Sequence, residues 1–384
     1  MPFGADFLCR DWPLLLECCS IPCDHEKIKS LASEINDNES LICAAEAHGV
    51  IGHVATALAE VSDPLNSSSL LDLIRERHRV HVFSTLGLTA ELLRMLELFR
   101  QSAIEVVVIK GPVLSLRAYG HSAARQFADI DCLVRDADIQ HAAAIFTSAG
   151  YQSRISAAAI HAGKIPGEYR FRRDGTNIIF EVHTERTLRY FPSPLPIEQF
   201  LQSKAGLPLD GYSVPALSPE HEFVLISVHG ATHFWERLMW IADIAAFVHN
   251  HPRMDWNRVL DCAADVRAQR MLRLALLLAE RLLRMPVPAA LQKYVTHDSM
   301  CERLARDVES WLPYAGYAPP SLAQRAKFRF RMPGRLLAGA TYLARLSFSP
   351  TEDDWTSGSR VRGSTIAEIL RRPLRLARKY RSKP

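Results

Sequence analysis

No stretch of 18 consecutive apolar residues occurs in this 384-residue sequence, so it offers no candidate for a bilayer-crossing helix. The opening MPFGADFLCRDW lacks the basic start and apolar core of a secretory signal, and the expectation is a soluble, cytoplasmic protein. Charge of one sign is lacking too: 46 Lys and Arg stand against 42 Asp and Glu, which leaves no overall excess for a dedicated nucleic-acid binder. Paired C-x-x-C motifs are absent, and eight cysteines in so long a chain make no disulfide framework. Cys43, Cys132 and Cys262 lie in apolar surroundings, as small core residues do. Cys18, Cys19 and Cys23, with His25 beside them, read either as ordinary thiols of a helical segment or as a metal or redox cluster without zinc-site spacing. There is no internal repeat and no low-complexity tract. What is present is apolar residue: 48% hydrophobic content suffices for a sizeable core, and the length suggests two or three units sharing one compact body.

The pattern divides the chain into an N-terminal helical region over 1–100, a core over 101–215, a helical region over 216–290 packing on that core, and a C-terminal helical region with a basic tail over 291–384. In the first, apolar residues recur at spacings of three and four in DWPLLLECC, in SLICAAEAHGVIGHVATALAEV and from Leu70 to Phe99, with the loop DPLNSSS between the last two. In the third, SPEHEFVLISVHGATHFWERLMWIADIAAFVHN reads as helix, with Ser218 at the N-cap, Pro219 at the first helical position and Glu220 in the first turn. His221 at the third position leaves the reciprocal capping box unmade. A second amphipathic run, VLDCAADVRAQRMLRLALLLAERLLRM, stops before Pro286, and Pro319, Pro320, Pro333 and Pro350 predict shorter helices beyond it.

The core opens abruptly at AIEVVVI, residues 103–109, a β-branched run bounded by Lys110-Gly111-Pro112 and read as a buried strand ending in a turn. A helix is expected from Leu114 to Tyr119, then a strand at FADIDCLV. In that strand Ala128, Ile130, Cys132 and Val134 share one face, while Asp129 and Asp131 project together from the other. Two acids so close repel each other unless a cation sits between them, and a hard divalent ion such as Mg2+ is the usual solution. DADIQHAAAIFTSAGY, with its Asp start and Gly150 stop, reads as the next helix. EYRFRRDGTNIIFEVH then reads as a hairpin with Asp174-Gly175 in a two-residue type I′ turn. Pairing Arg173 with Thr176 sets Phe171 opposite Ile178 and Tyr169 opposite Phe180. Tyr169, Phe171, Ile178, Phe180 and Val182 then form one face, and Glu168, Arg170, Arg172, Glu181 and His183 the other.

The order of strand, Lys110-Gly111 turn, helix with Tyr119, Arg125, D-x-D at Asp129 and Asp131, and Glu181 with His183 two residues later resembles the nucleotidyltransferase superfamily that includes DNA polymerase β. More specifically it resembles a large bacterial group of nucleotidyltransferase family proteins. HGV at His48 to Val50 and the helix bearing His229, His233, Arg237, Trp240 and Asp243 extend the likeness over roughly residues 40–250, with a looser echo in the RRPLRL near the C-terminus. The resemblance implies an α+β fold, with a small mixed-sheet polymerase β-like core embedded between helical regions. It also implies a Mg2+-dependent transferase, with two ions and Mn2+ as an alternative, that moves an NMP from an NTP to a hydroxyl or phosphate of a small molecule, sugar or peptide. Asp129, Asp131 and Glu181 would hold the metals and carry catalysis, and Lys110, Gly111 and Arg125 would meet the triphosphate.

Physical chemistry fits those roles: two metals about 3.5 to 4 Å apart neutralise charge on the α-phosphate and leaving group, and a carboxylate near a metal can take the acceptor's proton. Arg125 reads alternatively as a structural partner of one of the aspartates. Arg170 and Arg172 read as phosphate ligands or as a solvated strand face, and His183 as orienting the carboxylates or binding the acceptor. His229, His233 and Arg237, spaced by four, line one helical stripe that faces the cleft or packs between helices; Trp235 and Trp240 read as core. Two departures matter. Pro112 stands where the superfamily has a phosphate-binding serine, and Glu181 where it commonly has aspartate. Residues 360–384 carry nine basic side chains and one acid, a tail able to contact RNA, an acidic peptide or an anionic membrane surface, or to dock its leucines on the body. Alternative functions are nucleotidylation of a protein or RNA end, and a non-catalytic nucleotide-binding scaffold.

Overall fold

The computed structural model describes residues 5–61, 69–155, 160, 167–184, 197–295, 298–315, 318–334, 336–348 and 370–375. The fold is α+β. Five helices come first: α1 (Ala5–Cys19), α2 (His25–Ser33), α3 (Asn38–Ala47), α4 (Ile51–Val61) and the long α5 (Ser69–Gln101). The core follows as β1 (Val106–Val108), α6 (Pro112–Tyr119), β2 (Ile130–Val134), α7 (Ile139–Ser148), β3 (Tyr151–Ser153), β4 (Glu168–Arg173), β5 (Ile179–His183), α8 (Ile197–Gln202), β6 (Ala205–Leu209) and β7 (Tyr212–Ala216). Helices α9 (Pro219–Thr232), α10 (Leu238–Asn250), α11 (Trp256–Asp265) and α12 (Gln269–Leu283) complete the body. Then come α13 (Gln292–Val295), α14 (Ser299–Trp311), α15 (Leu322–Arg331) and α16 (Leu336–Phe348). No helix among the described residues is long and apolar enough to cross a membrane.

The strands form one mixed sheet in the order β3-β4-β5-β2-β1-β7-β6. β2 and β5 run parallel, as do β1 and β7, and the other neighbours are antiparallel. The period-two alternation of β1 and β2 divides their side chains between two cores. Val106, Val108, Ile130, Cys132 and Val134 pack with α7 and the second half of α5, whereas Val107 and Leu133 join the larger helical core. Asp131 lies on the Leu133 face, so the acids are turned toward α9 and α10. β2 begins at Ile130, one residue after Asp129, and Ala128 is exposed, so the apolar face is shorter than the alternation predicts.

The hairpin register differs from the expected one. Phe171 pairs with Phe180 and Arg170 with Glu181, a shift of two residues, and the connection is the four-residue loop 174–177. Thr176 accounts for it: its backbone N–H and its hydroxyl both donate to the Arg173 carbonyl, and its Oγ1 accepts from the Ile178 N–H. Gly175 has a positive φ there and Asp174 does not, so the type I′ geometry is not met. A shift of two preserves the faces. The Asp-Gly pair that does make a two-residue turn is Asp210-Gly211, both with positive φ, closing β6 on β7 with Leu209 opposite Tyr212. Pro208 and Pro215 mask that hairpin in the sequence; Pro208 is tolerated because β6 is an edge strand.

Ser218 caps α9, accepting from the His221 N–H, with Pro219 following it as expected. The single helix predicted over 218–250 breaks after Thr232. A Cβ on Gly230 would collide with the Trp235 ring, the Trp235 N–H bonds back to the Gly230 carbonyl, and Phe234 and Trp235 take left-handed φ values of 59° and 54°. Burying Trp235 completely is what offsets that strain. The next amphipathic run likewise splits at Arg267, with φ of 55°. Cys132 is buried, but Cys43 is exposed and Cys262 only half-buried, contrary to their apolar sequence surroundings.

Candidate active site

The Lys110-Gly111 turn leads from β1 into α6. Gly111 takes φ 62° and ψ −129°, a conformation reserved for glycine, and Pro112 sits at the first helical position, where no N–H is needed. The Ile109 N–H bonds the Asp131 carbonyl at 3.1 Å, tying the turn to β2. One turn later, Ser115 bonds the His121 carbonyl and accepts from the Arg125 N–H, so the serine in this helix fixes the 121–125 loop.

Asp131 is the hub. Lys110 Nζ lies 2.9 Å and His183 Nε2 2.8 Å from its Oδ1. Burial alone would raise its pKa, but Lys110 and His183 outweigh burial and hold the carboxyl well below its usual range. Asp129, half-buried at the mouth of β2, is raised by burial and by Asp131, with Lys110, Arg125 and Arg170 only partly offsetting. Glu181 stands beside Asp131 in the parallel β2–β5 register. Burial and the charges of Asp131 and Asp129 push it up to about 7, against His183 and Arg170. Arg170, opposite it on β4, donates from Nε to Glu181 Oε1 at 2.6 Å. Asp131, Glu181 and His183 each offer a ligand atom within 4.8 Å of the others.

These groups line a cleft of about 840 Å³, large enough for a nucleotide with part of an acceptor. The opposite wall comes from α9, α10 and the break between them. His229 and His233 have ring centroids 4.6 Å apart, Trp240 is 5.4 Å and 5.3 Å from them, and Arg237 lies 6.0 Å over the Trp240 ring. Partial burial pushes His229 well below the usual imidazole range, with Lys110 adding to it, and His233, exposed at the cleft wall, is lowered in the same direction. The stripe is therefore two helix ends rather than one helix, yet its three members still line the cleft. Trp240, expected in the core, lines it too, as do Glu168, Gln126 and Glu236. Arg237 two turns after His229, with Trp240 three residues on, was the available signal for that tryptophan.

Two expected phosphate ligands are placed otherwise. Arg125 lines the cleft, but its buried Nε lies 2.9 Å from both Asp243 oxygens, and Tyr119 donates to the same carboxylate at 2.9 Å. Its acidic partner is thus on α10 and outside the D-x-D. Arg172, two residues from Arg170, lies opposite Ile179, contacts Asn177 and falls outside the cleft. His48 of the HGV motif holds the far wall: its Nδ1 accepts from the Leu238 N–H at 3.3 Å and its carbonyl from the Met239 N–H. Gly49 has φ of 70°, and a Cβ there would be 2.9 Å from Met239 Sδ. Cys18 and Cys19 are buried thiols, while Cys23 stands near His25 and Glu60 at the surface. Most of the basic tail lies outside the described residues; within it, Arg372 donates to the Leu346 and Ser347 carbonyls.

A family model described as an uncharacterised nucleotidyltransferase matches residues 35–284, more than half of the chain. Among solved structures, the chain is similar to an antigenic nucleotidyltransferase-like protein from Paracoccidioides brasiliensis, 14% identical over 58% of this chain and 96% of that one. The TM-score is 0.30, too low to carry an argument. A comparison with curated proteins found no match.

Proposed function

The chain belongs to the uncharacterised nucleotidyltransferase family, and from that premise we propose that it is a Mg2+-dependent enzyme. It moves an NMP from an NTP to a hydroxyl or phosphate of a small molecule, sugar or peptide. The observation that carries this reading is the meeting of Asp129, Asp131 and Glu181 at one cleft with Lys110 and the Gly111 turn. Three hard oxygen donors, crowded enough that burial and mutual repulsion raise two of them, fit a divalent cation that relieves the repulsion.

Asp129, Asp131 and Glu181 would hold the ions, Mg2+ or Mn2+, which when bound supply charge neutralisation at the α-phosphate and the leaving pyrophosphate. Lys110 adds a positive charge beside the acids, and Gly111 lets the backbone approach a phosphate where Pro112 offers no hydroxyl. An acceptor oxygen attacks the α-phosphorus, the bond to the β-phosphate bridging oxygen breaks, and pyrophosphate leaves. Glu181, beside Asp131 in the β2–β5 register, is placed where a carboxylate near the ions can take the acceptor's proton. The His229, His233 and Trp240 wall offers aromatic faces and edges to the acceptor or base, with Arg237 as an exposed cation.

The test incubates the protein with each NTP, Mg2+ and a metabolite or peptide extract, and follows species heavier by one NMP. The Asp129→Asn, Asp131→Asn double variant should form none. Absence of both NTP binding heat and pyrophosphate release with every acceptor tried would sink the enzyme reading, and transfer surviving in the double variant would remove the acids from it.

A further inference from the structure

We propose that His183 is itself a ligand, through Nε2, of the cation held by Asp131 and Glu181, so that the site presents nitrogen as well as oxygen. This rests on the reading above only in taking the acids as a cation site. The register builds the arrangement: Asp131 is level with Glu181 and Leu133 with His183 across parallel β2 and β5, so Glu181 stands beside Asp131 and His183 follows two residues along on the same face. Nε2 is the nitrogen turned inward, 2.8 Å from Asp131 Oδ1. Two donors at neighbouring corners of an octahedral ion with bonds of about 2.1 Å lie about 3 Å apart, so that separation already suits co-ligands. The ligand atoms of Asp131, Glu181 and His183 converge within 4.8 Å, and Asp129 is not one of the three. The His183 side chain is 13% exposed, and Glu168 is its neighbour in the β4–β5 register.

The chemical consequence is metal preference. Mg2+ takes oxygen donors almost exclusively, whereas Mn2+ also accepts imidazole, so a nitrogen corner shifts the site toward Mn2+. The competing role for His183 is a hydrogen bond that only orients Asp131, and affinity loss alone does not separate the two.

Pulsed EPR of Mn2+ bound to the full chain without nucleotide separates them. The expected result is nitrogen modulation from a directly bound imidazole, present in the wild type, lost in His183→Gln, and converted from the 14N to the 15N pattern when histidine is 15N-labelled. The labelling arm needs no variant, so a folding failure of His183→Gln leaves the test intact. Tenfold or greater Mn2+ over Mg2+ discrimination, abolished in His183→Gln, is the supporting equilibrium result. Bound Mn2+ without nitrogen modulation, modulation retained in a folded His183→Gln, or no Mn2+ binding that depends on Asp131 would overturn the assignment. Nitrogen ligation in a protein that transfers no nucleotide would sink the enzyme reading and leave the ligand assignment standing.

Discussion

The Arg125–Asp243 and Lys110–Asp131 pairs are both buried and both close to 2.9 Å, and they stand at the same cleft. The first is complete: Arg125 Nε reaches both Asp243 oxygens, and Tyr119 supplies a further donor. With Arg117–Glu222 and the Asn250 bond to the Ala118 carbonyl, it clamps α6 and its following loop to α9 and α10. The second is crowded: Lys110 and His183 share Asp131, with Asp129 and Glu181 alongside and raised in pKa. A closed pair holds two parts of the fold in register, and a crowded group with surplus negative charge is arranged to receive something positive.

The largest expected effect falls on the closed pair. Arg125→Ala should destabilise by about 3 to 5 kcal/mol, because it leaves Asp243 buried and uncompensated. An apolar replacement of both partners should recover most of that loss. Urea denaturation of the single and double variants measures both; a double variant no better than the single would mean that the pair is not a self-contained clamp.

Within the crowded group, the two aspartates should behave oppositely. The Asp131 charge is favoured by the fold, so Asp131→Asn should cost about 1 to 3 kcal/mol by leaving Lys110 without its partner. The Asp129 charge is disfavoured, so Asp129→Asn should be neutral or slightly stabilising. Equal melting shifts would erase the asymmetry. Like-charge repulsion, the only term that D-x-D spacing exposes, predicts that neither change destabilises; Lys110 and His183, brought in by the turn and by β5, alter the sign at Asp131.

That difference shows how much the sequence carries. The acids, the Lys-Gly turn and the faces of the hairpin were legible because each depends on local periodicity, and a two-residue slip leaves faces unchanged. Partner identity was not legible. Nothing near Arg125 announces Asp243, 118 residues away, and nothing in VHGATHFWERL announces that Trp235 would pack on Gly230 and end the helix. The β6–β7 hairpin carried its signal in Asp210-Gly211, but its two prolines read against a strand, and only its edge position resolves the conflict.

Glu181 gives a smaller, pH-dependent effect. Its folded pKa of about 7 lies above the ordinary 4.5 of a glutamate carboxyl, so between those values the native state binds more protons than the unfolded one. Its contribution is fully present below about 4.5 and is lost as pH rises through about 7, by on the order of 3 kcal/mol at most. Glu181→Gln should flatten that part of the stability profile, measured as melting temperature from pH 4.5 to 8. An unchanged slope would place the titration on another group.

The smallest effect tests the register that brings Arg170 into the crowded group and leaves Arg172 out. Arg170 faces Glu181, and its side chain is half exposed, so Arg170→Ala should cost less than about 1 kcal/mol. It should nevertheless raise the Glu181 pKa further, because a cation that favours the carboxylate is gone. Arg172→Ala should leave both stability and the Glu181 titration unchanged. In the register with Arg173 opposite Thr176, Glu168 would face Glu181 and Arg170 would face Ile179. Glu168→Gln would then lower the Glu181 pKa more than Arg170→Ala raises it. Carboxyl NMR titration of the three variants decides between the two pairings, and the Arg170 result decides whether Glu181 belongs to the crowded group or only adjoins it.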